Sequence, residues 1–345
     1  MSNAVAVVDH NDPLSLVPNA RARVLRAVAA VALLVLWLPV DRVVTAMAWL
    51  GIVGWAMVAS RRVPWLLVLP TIAAGVLLGL PDAPMWLLAV SVAVVAGVVP
   101  AHLWMEQLRR RLPPSDFMVF AVAQPGVALA IRALSHSALH HSEQAIEVLT
   151  VVCVVSAVLQ AGLALVRTSA SRSVVAVAWS QGSLLLAGAL GAEAGDAAAV
   201  MMAIGCGAGT LALLSAIEQL RRRFNVTELA PDNGLALLAP TTGAVLLVMG
   251  WLFVGLPGGV TFVAEDLLFH ELFEHQPVLT IVFIFASSMN AIAFYKVYTG
   301  LFGGVPRPEV VKAAQPCSPL VTALLVLTGI VLVCGVVPQL VLHAL

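Results

Sequence analysis

Apolar runs of membrane-crossing length follow one another almost without pause along this chain. Eleven such runs lie at 24–40, 43–60, 63–80, 84–103, 117–134, 145–166, 173–191, 197–219, 234–255, 277–302 and 317–342. A span needs roughly 20 apolar residues. Backbone groups inside a bilayer must be satisfied within their own segment, so each run is expected to be helical. A barrel would need alternating polar residues, and runs such as 27–38 have none. Only 10% of the 345 residues are charged and 61% are hydrophobic. A soluble domain carries about a quarter charged residues, so this chain lacks the polar surface to face water. The fold class expected is an all-α integral membrane protein of about eleven transmembrane helices.

Charge tests the count independently. Arg21, Arg23 and Arg26 precede the first run, Arg61 and Arg62 follow the second, and Arg109 to Arg111 follow the fourth. Arg167 and Arg172 follow the sixth, Arg221 to Arg223 the eighth, and Arg307 and Lys312 the tenth. The alternate joins carry Asp82, Glu143, Glu193, Asp196 and the acidic, histidine-bearing 265–275, with Arg42 the clear basic exception. The bias of Lys and Arg toward cytoplasmic loops places the N-terminus in the cytoplasm and, after eleven crossings, Leu345 outside. Residues 1–22 read as a polar arm without a cleavable signal peptide, and 23–345 as one polytopic domain. The polar stretch 256–276 is too short for a separate fold and is expected to lie on the surface or to re-enter the membrane.

Zero net charge gives no reason to expect nucleic acid. Cys153, Cys206, Cys317 and Cys334 are far apart and imply neither a zinc site nor a disulfide framework. His136, His140, His141 and Glu143 share one join. In His270-Glu271-Leu272-Phe273-Glu274-His275 the histidines stand five apart, not the four that a zinc-protease helix requires. No metal, cofactor or catalytic constellation is expected.

Polar residues at membrane depth are costly and so mark candidate sites. Gln124-Pro125-Gly126 sits inside the fifth run, where Pro125 and Gly126 favour a broken helix. Ser287, Ser288 and Asn290 in the tenth run, with Lys296 beyond them, suggest a second break. Broken helices at mid-membrane are a transporter device, against which stand a simple proline kink and a lysine that only snorkels. Gln181 in Ser180-Gln181-Gly182 suits a hydrated path or close helix packing. His102 suits proton transfer or a structural hydrogen bond. Arg132 ends the fifth run within reach of an acid such as Glu147, and Glu218 ends the eighth.

Taken in order, several segments resemble the antiporter-like membrane subunits of respiratory complex I, shared with Mrp-type antiporters and membrane-bound hydrogenases. Pro100-Ala101-His102-Leu103-Trp104 resembles that family's P-L-H-x-W, and Gln124 to Arg132 its K-x-G-x-Y-x-L-x-R, with Gln124 at the lysine position. Ser171-Arg172 through Ser180-Gln181 resembles K-R-x-x-A-Y-S-x-x-S-Q. Gly255-Leu256-Pro257-Gly258 with Phe262-Val263-Ala264-Glu265 resembles G-L-P-G-x-x-G-F-x-G-E, and Tyr295 to Gly303 resembles the aromatic ending. The likeness covers about 95–305. It implies an antiporter-like bundle with two broken helices in a cell's inner membrane, conducting protons or cations. The implied partners are other membrane subunits and a peripheral soluble subunit, in a complex I-like or hydrogenase-like module or an inorganic-carbon uptake system. The candidate path is His102, Gln124, Arg132, Gln181, Glu265, Asp266, Asn290 and Lys296. Near Cys206 to Thr210 the family's lysine or histidine has no counterpart, so a non-conducting scaffold stands as the second reading.

Overall fold

The computed structural model describes residues 42–60, 65–80, 84–111, 125–135, 143–191, 195–226, 228–306 and 320–339. The run 24–40, Gln124, and the His136–His141 group lie outside the described residues. The described helices are α1 Arg42–Ser60, α2 Trp65–Gly79, α3 Met85–Ala96, α4 Leu103–Arg111, α5 Pro125–Ser135, α6 Glu143–Val166 and α7 Ala170–Gly191. They continue with α8 Gly195–Phe224, α9 Leu235–Leu238, α10 Pro240–Phe253, α11 Val260–His275, α12 Pro277–Phe302 and α13 Leu320–Val336. Among the described residues helix is the regular structure, with one isolated bridge between Ser169 and Glu228.

Among the described residues four helices are long and apolar enough to cross a membrane, at Glu143–Val166, Ala170–Leu190, Ala198–Phe224 and Pro277–Phe302. Leu69–Leu78, Trp86–Ala96, Pro240–Phe253 and Val321–Val336 are shorter apolar helices. The expected run 84–103 stops at Ala96, where Gly97 turns the chain with φ of 70°. The expected run 234–255 is split at Ala239 into α9 and α10.

α7 is the hub of the bundle. It packs against α5, α6, α8, α11 and α12, and the apolar window from Ala170 to Leu190 is 89% buried. With no hydrophobic force between helices in lipid, close approach of small residues holds such a bundle together. Gly126, in the first turn of α5, lies so near α3 that a methyl group there would sit 1.8 Å from the Val95 carbonyl oxygen. Backbone cannot yield as a side-chain tip does. Gly126→Ala is therefore expected to cost the fold about 1–3 kcal/mol or more, measured as a lower unfolding temperature of the purified protein.

The connections at one end are tied together. Leu229 N–H donates to the Thr168 carbonyl and Gly234 N–H to the Gly303 carbonyl. Buried Asn233 donates to the Glu228 and Gly300 carbonyls at 2.9 and 2.7 Å. Arg109, Arg167, Arg172 and Arg221 to Arg223 therefore share this end, and antiparallel packing sends Glu143, Glu271 and Glu274 to the other. Among the described residues these arginines thus gather at one end, where Glu106 and Glu218 pair with some of them.

The stretch 256–276 does not stay on the surface. Phe253 meets Gly209 of α8, Thr261 meets Gly205, and Leu268 meets Gly188 of α7. α11 thus carries on in the direction that α10 set, and the two helices are separated by an interruption at Val254–Gly259. Gly255 and Gly258 take φ of 77° and 100° there, which L side chains resist. The break expected at Ser287 and Ser288 is absent: α12 runs unbroken from Pro277 to Phe302. Ser288 Oγ bonds back to the Ile284 carbonyl at 2.8 Å, and Ser287 reaches across to α11, so both hydroxyls are satisfied without opening the helix.

Candidate functional site: a buried carboxyl at the helix break

Three of the sequence candidates meet where α7, α11 and α12 cross. Glu265 lies one turn past Thr261 on the buried face of α11, with Ala264, Leu268 and Leu272. Ser287 Oγ donates to Glu265 Oε2 at 3.1 Å. Asn290, one turn along α12, donates through Nδ2 to Ser180 Oγ at 2.9 Å, and Ser180 in turn donates to the Ala157 carbonyl at 2.9 Å. Gln181, next to Ser180, donates to the Phe253 carbonyl at 3.5 Å, and its amide faces the Glu265 carboxylate. Ser180, Gln181, Glu265, Ser287 and Asn290 so form a ring tying three helices to the end of α10.

This ring is enclosed by protein yet short of partners. Gln181 and Asn290 are fully buried and Glu265 is 3% exposed. Glu265 Oε1, Gln181 Oε1 and Asn290 Oδ1 have no hydrogen-bond partner among the described residues. Buried polar atoms normally find one, and ordered water is the usual supplier. The carboxyl is held from below by the break itself: a methyl group on Gly255 would sit 2.2 Å from Glu265 Oε2. Chemically the ring contains one group able to take and release a proton, Glu265, among neutral amides and hydroxyls. It contains no nucleophile paired with a base. Among the described residues no group of three or more His, Cys, Asp or Glu is placed to hold a metal.

The other candidates lie elsewhere. Asp266 is exposed, turned about 100° around α11 from buried Glu265. Arg132 falls in the second half of α5, and the helix begins at Pro125. His102 is half-buried in the turn between α3 and α4, its Nδ1 without a hydrogen bond among the described residues, in the field of Arg167 and Glu106. Glu106 pairs with Arg109 at 2.7 Å and lies 3.7 Å from Arg167. Lys296 is at the same basic end. It neither enters the ring nor reaches for water: its Nζ donates to the Leu165 and Arg167 carbonyls, closing the C-terminus of α6. Lys296→Met leaves these carbonyls unmet and is expected to cost about 1–3 kcal/mol, with a smaller loss for Lys296→Arg, read from thermal unfolding. Glu218 is bound by Arg221 and Arg222 at 2.7 Å each. His270 and Glu274 form an exposed pair at 3.6 Å.

A second polar group escaped sequence reading. On α6, Gln160 is 1% exposed and donates to Ser156 Oγ at 3.1 Å and more weakly to the Gly97 carbonyl at 3.4 Å. Ser156 Oγ accepts the Val99 N–H at 3.0 Å and touches Ser183 Oγ of α7 at 3.4 Å. A glutamine inside the apolar run 145–166 is as costly as Gln181, and the same criterion finds it.

The sequence model described as "NADH:quinone oxidoreductase/Mrp antiporter, TM" matches residues 83–290, more than half of the chain. The chain belongs to the NADH:quinone oxidoreductase/Mrp antiporter transmembrane family. It is a membrane-embedded member, and the matched region takes in Gln181, Glu265 and Asn290. It is 28% identical over 262 residues to "NADH-quinone oxidoreductase subunit N" of Halorhodospira halophila, covering 72% of this chain and 54% of that protein. It is 29% identical over 263 residues to the subunit of the same name in Alkalilimnicola ehrlichii, covering 74% and 53%. The chain therefore spans about half the length of the curated relatives it matches. Its fold is like that of a chain in the Mrp complex from a Dietzia species, with TM-score 0.73, 16% identity and coverage of 88% and 72%. A chain of Thermus thermophilus respiratory complex I gives 0.68, 19%, 92% and 71%. Likeness at such identities concerns the fold alone.

Proposed function

We propose that the chain is a proton- or cation-conducting membrane subunit of a larger complex, with Glu265 as the group that carries the proton. The observation that carries this reading is the placement of one carboxyl, ringed by under-partnered amides and by hydroxyls, at the interruption between α10 and α11. A charge-bearing group is expensive at this depth and needs a purpose. Neutral Gln181, Asn290, Ser180 and Ser287 keep water beside it and so link it to its surroundings. His102 stands at the basic end, where the route opens. Gln124 and Arg132 flank Pro125 and Gly126 and belong to a second crossing of the route. Asp266 faces away and Lys296 is a helix cap, so neither is part of it.

In this reading the basic face is cytoplasmic, the membrane is a cell's inner membrane, and other membrane subunits lie alongside. The names of the relatives favour a complex I-like or Mrp-like setting. A peripheral soluble subunit uses the proton movement at the basic face. Its type, iron–sulfur protein or zinc enzyme, is read directly from what co-purifies.

Conduction is tested by placing the full chain, with its co-purified partners, in proteoliposomes loaded with a pH-sensitive dye. A potassium diffusion potential is then imposed. Proton uptake faster than in protein-free vesicles is expected. Uptake equal to that of protein-free vesicles would support the scaffold reading instead.

A further inference from the structure

The Gln160 group lies between two things that the proposed route has to join. On one side is the turn from Gly97 to His102, which climbs to the basic end beside Arg167. On the other is Ser180 of the ring, which shares the α6–α7 crossing with Ser156 and Ser183. Ser183 stands one turn from Ser180 on α7, and Ser180 bonds to Ala157, the neighbour of Ser156. All three side chains of the group are at most 2% exposed. Gln160 Nε2 is bonded to Ser156 Oγ and the Gly97 carbonyl, while Gln160 Oε1 is a buried acceptor with no partner among the described residues. A buried water needs two to four polar contacts, and the orphaned amide oxygen with the neighbouring Ser156 and Ser183 hydroxyls can offer them.

Building on the conduction reading, we propose that Ser156, Gln160 and Ser183 hold a buried water and form an inlet, leading from the turn below His102 to the Glu265 ring. The two hydroxyls at 3.4 Å are farther apart than the usual hydroxyl pair, about 2.7–2.8 Å, so a proton crosses here by way of the water. The plainer role for the group is to satisfy the Val99 N–H and Gly97 carbonyl, which a non-helical turn leaves open in a membrane. Ser156 and Gln160 touch those backbone groups. Ser183 does not: its hydroxyl meets only Ser156 among the bonds described.

Ser183→Ala therefore separates the two roles. Flux per folded molecule in proteoliposomes is expected to fall several-fold, with a larger solvent deuterium effect, while the unfolding temperature and amide exchange at Val99 stay as in the wild type. Gln160→Met is the second variant, removing the free acceptor while leaving the Ser156–Val99 bond, and it is expected to lose flux similarly. Wild-type flux in both variants would overturn the inlet and leave conduction through Glu265 standing. A wild type without flux would remove conduction, and the inlet with it.

Discussion

Glu265→Gln is expected to lower proton flux by about 10²-fold or more, the lower bound for removing a positioned proton-transfer group. The change is nearly isosteric. Ser287 Oγ still finds an acceptor in the new amide oxygen at the place of Oε2, and the buried face of α11 is untouched. The protein should fold with an unfolding temperature within a few degrees of the wild type. What disappears is the one group of the ring that can hold a proton. Glu265→Asp retains the carboxyl but withdraws it by one methylene from Ser287 and Gln181, and should give intermediate flux. Measuring flux and thermal unfolding on the same preparations separates loss of the carrier from loss of the fold.

The second large effect is expected at the break. Gly255→Ala and Gly258→Ala place the same methyl group on two glycines with φ of 77° and 100°. Both substitutions carry left-handed backbone strain, about 1–2 kcal/mol each. Only one of them touches the site. The methyl at 255 collides with Glu265 Oε2, whereas nothing among the described residues lies within 4 Å of the methyl at 258. Gly255→Ala should therefore bring flux close to the Glu265→Gln level, because the carboxyl is pushed off Ser287. Gly258→Ala should be less stable than the wild type yet conduct nearly as well. Equal flux in the two variants would mean that the break does not position the carboxyl.

Much of the bundle was legible in the sequence because lipid imposes simple rules. Apolar runs marked α6, α7, α8 and α12, and basic residues marked the end of the molecule they share. The cost of polar groups at depth picked out Gln181, Glu265 and Asn290, which the fold brings together from three helices. The location of the break was misjudged at one place for a physical reason. Polar density at Ser287, Ser288 and Asn290 reads as irregular backbone, but each of these side chains finds a partner without disturbing α12. The interruption falls instead where backbone freedom is concentrated, at Gly255-Leu256-Pro257-Gly258-Gly259. Lys296 was ambiguous because sequence shows a long basic side chain but not the carbonyls of α6 that await it. Asp266 and Glu265 are neighbours in the sequence, and helical geometry alone sends one outward and the other into the core. Gln160 stands out less, since its run lacks the proline that marks Gln124.

The account turns on whether the Glu265 carboxyl itself binds the transported proton. Infrared difference spectroscopy of the reconstituted protein, recorded while proton uptake is driven by a diffusion potential, addresses this directly. A protonated-carboxyl band that rises and decays in step with uptake, and is missing in Glu265→Gln, is the result predicted. Wild-type uptake with no such band, or the same band in Glu265→Gln, would contradict it.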